Sequence, residues 1–182
     1  MDLQHRRTKV FFCVGKYKRP EINIEIFRVG NANKKQVWEV FKKYHYLNTS
    51  LHQAAEQWVG LVNGELACHT GVIQFTMRKG WKRIHRMVTL PDYQGIGIGI
   101  KFINEISKHY IENGFNVNLT TTTPALVGGL KRNKRWALVR ASRVKNTLGK
   151  NLKKYYNDDT RSKDKSIGSS SNRITYSFNF KK

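Results

Sequence analysis

"LPDYQGIGIGIKF", residues 90–102, sets glycines at 95, 97 and 99 between a Pro-Asp-Tyr turn and a helical pattern. It is either a phosphate cradle or a glycine-rich connection between a strand and a helix. A P-loop needs Gly-x-x-x-x-Gly-Lys-Ser/Thr, and the segment has no Lys-Ser/Thr pair. A dinucleotide fingerprint needs Gly-x-Gly-x-x-Gly, and its last position falls on Ile100 or Phe102. What remains is Gln94-x-x-Gly97-x-Gly99, behind a strand and opening a helix. Glycines let backbone N–H groups close on phosphate oxygens, and a helix N-terminus adds unpaired donors and partial positive charge. A packing turn would not require three glycines in five residues, so the segment reads as an anion site.

Downstream, Ile98, Phe102, Ile106 and Tyr110 recur every four residues, with Lys101, Glu105 and Lys108 opposite and Gly114 placed to cap a helix. Residues 115–123 alternate as a strand and stop at Pro124. Residues 125–136 predict a weak short helix or a loop, because Gly128 and Gly129 cost helicity. Residues 137–144 and 173–180 read as two final strands. Upstream, 83–90 reads as a strand and 76–82 as a basic loop. Asn63-Gly64 predicts the two-residue turn of a hairpin between 58–62 and 65–75. Ser50 with Gln53 forms a capping box that predicts a second short helix over 49–58. Residues 33–48 carry Val37, Trp38, Phe41, Tyr44 and His45 on one helical stripe, and 21–30 alternate Ile22, Ile24 and Ile26 as a half-buried strand.

This order predicts one α/β domain, an α+β mixed sheet, over 21–182. Residues 1–20 read as a basic, irregular N-terminal extension. Residues 145–172, rich in Lys, Asn, Asp and Ser, read as a flexible basic insertion. The 182 residues have room for a full core, and 39% of them are apolar. The longest early apolar run, "VFFCV" at 10–14, is too short for a membrane span. Cys13 and Cys68 lie far apart without metal-ligand spacing, so no disulfide framework and no metal is expected, and a cytoplasmic location fits.

Thirty-four Lys and Arg against twelve Asp and Glu give a net charge of +22. Such a surface draws polyanions and repels cationic small molecules such as polyamines and aminoglycosides. An inert basic surface is the plainer alternative.

"VTLPDYQGIGIGIKF" (88–102) resembles motif A of the GNAT superfamily of acyl-CoA N-acyltransferases: Gln/Arg-x-x-Gly-x-Gly/Ala after a strand that ends near a proline. The element order is similar to that fold over roughly residues 20–182. The resemblance implies a central, mostly antiparallel sheet that splays between "RIHRMVTL" and "FNVNLTTTT" to admit acetyl-CoA or another acyl-CoA. It implies that Gln94, Gly95, Ile96, Gly97, Ile98 and Gly99 hold the pyrophosphate, while Val88, Thr89 and Leu90 face the pantetheine and thioester. The family's general acid is a tyrosine in a Leu-Tyr-x-Lys-x-Gly-Phe-like segment. Here "LKRNKRW" (130–136) corresponds, with Lys131 at the tyrosine position, so water or a tyrosine from elsewhere must protonate the thiolate.

Attack of an amine on a thioester needs a deprotonated amine and an oxyanion donor. His85, on the strand entering the cofactor site, is a candidate base, or only a neighbour of Arg83 and Arg86. His45 and Tyr46 end the first long helix, which in the resembled fold borders the acceptor; a core histidine is the alternative for His45. His69 reads as structural. Thr121, Thr122 and Thr123 offer hydroxyls, or are only good strand residues.

The stretch 77–86 surrounds Trp81, a base-stacking residue, with Arg78, Lys79, Lys82, Arg83 and Arg86, and a second basic tract begins with Lys131, Arg132 and Arg135. Together they point to DNA or tRNA. His45-Tyr46 with this charge also resembles, more weakly, phage Mom-type relatives that modify adenine in DNA. The sequence thus predicts an enzyme that acylates an amine on a nucleic acid. A protein N-acetyltransferase docking on an acidic or ribosomal partner, and a non-catalytic nucleic-acid-binding module, stand as alternatives. Many proteins of the resembled family dimerise, and the resemblance extends that expectation of a homodimer to this chain.

Overall fold

The computed structural model describes residues 5–10, 13–14, 17–18, 22–45, 52–143 and 174–181. In chain order these form β1 (His5–Val10), β2 (Cys13–Val14), β3 (Tyr17–Lys18), β4 (Ile22–Arg28), α1 (Lys34–Phe41), β5 (Glu56–Val62), β6 (Glu65–Gln74), β7 (Trp81–Thr89), α2 (Ile98–Glu112), β8 (Asn116–Thr121), α3 (Pro124–Arg132), β9 (Trp136–Arg143) and β10 (Ile174–Phe180). Among the described residues one sheet has eight strands in the order β1-β4-β5-β6-β7-β8-β10-β9. Its pairs are antiparallel except β7 with β8.

Alternation and turn chemistry set most of this. Asn63 (φ 52°) and Gly64 (φ 82°) are both left-handed, as a tight hairpin turn requires, and join β5 to β6. One face of the sheet receives α2, which buries Ile98, Phe102, Ile103, Ile106 and Tyr110. A Cβ on Gly60 would come within 3.1 Å of Phe102, so β5 needs glycine where that ring crosses it. The opposite face receives α1, whose Trp38 and Phe41 pack with Val59 and Val88.

The far end of α2 is fastened by a polar network. Glu56 accepts from Lys82 Nζ at 2.7 Å, Arg28 at 3.1 Å and the Tyr110 hydroxyl at 2.9 Å, and Trp58 Nε1 donates to that hydroxyl at 3.1 Å.

Four expectations change. The first helix ends at Phe41, and a 3₁₀ turn over Lys42–Tyr44 leaves His45 in extended backbone rather than on the helix. His5–Val10 is a strand, not irregular chain, because the open edge of β4 pairs with its backbone whatever the side chains. The capping box at Ser50 lies outside the described residues, but His52–Ala55 is a turn closed by Ala55 N–H to His52 O at 3.0 Å, and β5 begins at Glu56. The helix propensity of the two alanines gives way because Gln57 and Trp58 pair with Gly71 and Thr70. Trp81 and Lys82 belong to β7, not to the basic loop. The ambiguous segment after Pro124 is the helix α3, with that proline in its first turn. The expected insertion at 145–172 lies outside the described residues. Among the described residues no helix is long and apolar enough to cross a membrane, and no cluster of metal-ligating side chains occurs.

Candidate active site

The site begins where two strands part. β7 and β8 stay in register only from Trp81–Asn116 to Ile84–Leu119. Beyond that point, among the described residues, β7 pairs only with β6, and β8 only with β10. At the parting β7 carries a bulge: the register against β6 slips between His69 and Gly71, and Arg86 adopts a φ of 56°. The slip breaks the alternation of side chains. Ile84 and Met87 pack toward the α2 core, and Val88 toward α1. Between them His85 meets the His52 ring at 5.7 Å and Arg86 lies over the Trp38 ring at 5.8 Å. Two consecutive polar side chains thus face the α1 side.

After β7, Pro91–Tyr93 forms a 3₁₀ turn and the Gln94 side chain donates to Thr89 O at 2.8 Å. Gly95 (φ 77°) and Gly97 (φ 84°) take left-handed conformations that L side chains rarely adopt. Gly97 caps α2 without any capping side chain, and the first helical bond runs from Lys101 N–H to Gly97 O at 3.1 Å. The N–H groups of Ile98, Gly99 and Ile100 therefore have no carbonyl within the helix. Gly99 has a second role. A Cβ there would lie 2.7 Å from Thr89 Oγ1 and Met87 Cε, so the helix start rests directly on β7.

Two cavities meet at the parted strands. The larger, about 1090 Å³, is lined by Val88, Thr89, Gln94, Gly95, Gly97 and Gly99 on one side and by Thr123, Arg132 and Tyr176 on the other. Its volume is at the upper end of ligand pockets, roughly 300–1,000 Å³. The smaller, about 280 Å³, is lined by His45, Arg83, His85, Arg86, Thr120 and Thr121. Met87, Thr123 and Leu126 line both.

The structure brings together some of the expected residues and separates others. His45 and His85 share the smaller cavity, whereas Tyr46 lies outside the described residues. Ile98 is a core residue of α2, Ile96 packs against that core, and Leu90 packs beside α1. Lys82 is held by Glu56 and lies over the Phe115 ring at 4.9 Å. Arg83 lies against Phe75, its guanidinium 3.9 Å from the ring centroid. Arg78 and Lys79 are exposed, and the Arg78 guanidinium sits 5.3 Å from the Trp81 ring centre. Lys131 and Arg135 are exposed at the end of α3 and just after it, with Lys131 Nζ 5.1 Å from the Tyr176 ring centre. Tyr44 and Tyr176 both line the larger cavity. Sequence reading missed both; the signal for Tyr176 was its place on one face with Phe178 and Phe180. The Thr121 hydroxyl accepts from Thr123 N–H at 3.1 Å, bracing the turn into α3.

Burial, then the charges of Arg86, His52, His45 and Arg83, push His85 down to about 4, so it is neutral at ordinary pH. Burial lowers Arg83 as well. Burial pushes the Cys68 thiol up to about 12, which removes it as a nucleophile.

The chain matches the family described as acetyltransferase (GNAT) domain over residues 26–125. It belongs to the GNAT acetyltransferase family. No curated protein sequence matches it. Its GNAT fold is similar to that of Arabidopsis thaliana NAA60, solved in complex with acetyl-CoA: TM-score 0.56, 13% identity, covering 86% of this chain and 97% of that one. It is similar to the ribosomal-protein-S18-alanine N-acetyltransferase from Escherichia coli, at TM-score 0.56 and 9% identity over 86% and 92% of the two chains. It is also similar to the spermidine/spermine N-acetyltransferase SpeG from Vibrio cholerae, at TM-score 0.58 and 10% identity over 85% and 92%.

The GNAT core makes stability depend on pH through His69. This fully buried imidazole shares a 3.2 Å hydrogen bond with Gln57 Oε1, and burial holds it at about 4 against an ordinary 6.5. The folded state disfavours its proton. The contribution is complete above about pH 6.5 and falls away as pH drops through about 4, a loss of roughly 3 kcal/mol. Urea unfolding at pH 7 and pH 4 should show this loss, and His69→Gln should remove much of the slope.

Proposed function

We propose that this protein transfers an acyl group from an acyl-CoA to an amine carried by a nucleic acid, in the cytoplasm. The observation that carries the reading is the meeting of the two cavities where β7 and β8 part, one bordered by the glycine turn and the other by cationic and imidazole side chains. The glycine turn fits a pyrophosphate: Gly97 caps α2 without a side chain, and the unpaired N–H groups of α2 stand next to it. An acyl-CoA supplies the activated acyl group as a thioester. Gln94, Gly95, Gly97 and Gly99 bind its pyrophosphate, and Val88 and Thr89 border the rest.

His85, neutral above about pH 4, takes the proton of the attacking amine, and His45 stands in the same cavity. The proton for the departing thiolate comes from a phenol of the larger cavity, Tyr176, onto which Lys131 is folded.

Charge supports the nucleic-acid acceptor. The net charge of +22 steers polyanions toward the protein, and the cations of the smaller cavity repel a polyamine. Arg78, Lys79 and Trp81 on one side, with Lys131, Arg132 and Arg135 on the other, extend the contact beyond the cavity.

The test is mass spectrometry of nucleosides and tRNA from cells expressing this protein or its Gly97→Asp variant. An acylated nucleoside or aminoacyl-tRNA present only with the unaltered chain is the expected result. Unchanged nucleic acids beside a newly acylated protein would overturn it.

A further inference from the structure

Neighbouring cations on β7 are treated differently. Lys82 faces the α2 side and finds Glu56 at 2.7 Å, which also pairs with Arg28 at 3.1 Å. Arg83 lines the smaller cavity on the α1 side, and no carboxylate is among that cavity's described lining residues. Its Nε is buried and has no hydrogen-bond partner, and among the described residues no acid pairs with it. Its guanidinium is nevertheless fixed, 3.9 Å from the Phe75 ring centre. His85 Nδ1, in the same cavity, is likewise buried and unpartnered.

A cation taken partly out of water and left unpaired destabilises a fold unless something else compensates it. Glu56 of β5 supplies a carboxylate for Lys82, and among the described residues none reaches Arg83; the Phe75 ring offsets part of the cost, and the missing anion is sought in the ligand. A guanidinium's forked N–H groups match a compact oxyanion. The cavity's 280 Å³ corresponds to roughly nine waters at about 30 Å³ each. That is room for an oxyanion and the amine beside it, but not for a base-paired duplex. A nucleic acid would enter as an unpaired end or a base turned out of its stack.

We propose that the smaller cavity is an oxyanion subsite for the acceptor, in which Arg83 holds the phosphate next to the amine that is acylated. This deepens the nucleic-acid reading and rests on it. It also gives this partly buried cation an anionic partner only when the acceptor is bound.

The experiment titrates inorganic phosphate, and separately acetate, into the protein saturated with CoA so that the glycine turn is occupied. Calorimetry reads affinity, and the NMR resonance of the Arg83 Nε–H reads the contact in the unaltered protein. Phosphate should shift that resonance and bind at least tenfold more weakly to Arg83→Met, with CoA affinity changed less than twofold. Arg83→Lys, which keeps the charge without the fork, should fall between. An unmoved resonance, or equal phosphate affinity in folded Arg83→Met, overturns the subsite. Acetate binding as tightly as phosphate overturns the assignment to a phosphate. If CoA fails to bind at all, the reading of the larger cavity falls instead. The Arg83 resonance, followed during phosphate titration of the free protein, then still decides the subsite.

Discussion

Gly97→Asp should lower acetyl-CoA affinity by about a thousandfold and remove acyl transfer with it. Two effects act, and they separate. At a φ of 84° any non-glycine residue is strained, at roughly 1–2 kcal/mol. That strain is present with and without ligand, so it lowers stability more than affinity. The carboxylate acts on affinity. It would stand at the uncapped N-terminus of α2, taking up the donors and repelling a pyrophosphate. Two unit charges about 4 Å apart interact by roughly 4 kcal/mol at the effective dielectric of a protein surface, which corresponds to about a thousandfold. Gly97→Ala isolates the strain and should cost about 1 kcal/mol of stability with affinity within tenfold. Calorimetric titration with acetyl-CoA, beside thermal unfolding of each variant, checks both. Tight binding by Gly97→Asp would leave the glycine turn as a packing device and move the pyrophosphate elsewhere.

Packing explains part of that turn in any case. Gly99 is glycine because β7 lies against it, a role independent of any anion. Three glycines at alternate positions therefore serve two purposes. Gly95 and Gly97 supply backbone conformation, and Gly99 supplies closeness.

That division shows what could be read from sequence. Local rules sufficed wherever one residue type answers one backbone demand. Asn63-Gly64 gave the hairpin, the four-residue spacing from Ile98 to Tyr110 gave α2, and the glycine segment with its preceding strand gave the family. The rest depends on partners distant in sequence. Nothing near Lys82 says that Glu56, twenty-six residues earlier, holds it. A run of cations reads as one basic patch until the sheet turns Lys82 and Arg83 to opposite sides. On β7 itself no glycine or proline announces the bulge at Arg86, yet it sets His85 and Arg86 on the same side. His5–Val10 shows no alternation because its place at the sheet edge is fixed by backbone pairing. For Tyr176 the sequence shows only a face shared with Phe178 and Phe180; the pairing of β10 with β8 is what brings it to the larger cavity.

His85→Gln should reduce kcat by about 10²–10⁴-fold while leaving acetyl-CoA affinity unchanged, because its ring lines the acceptor cavity and not the glycine turn. The pH profile gives the sharper test. An ordinary histidine base would lose activity below about pH 6.5. Here burial and the surrounding cations hold His85 near 4, so its neutral form persists as pH falls and is lost only as pH passes through about 4. The free enzyme's kcat/KM should accordingly stay level well below pH 6.5. The loaded enzyme should behave differently. An anion beside Arg83 offsets part of the cationic repulsion, which raises His85 and strengthens it as a base once the acceptor is seated. The acid limb of kcat should therefore lie at higher pH than that of kcat/KM. Arg83→Met should move the two limbs together, since it removes the group through which the anion acts. Retention of more than a tenth of kcat in His85→Gln would shift proton acceptance to His45, the other imidazole of the same cavity.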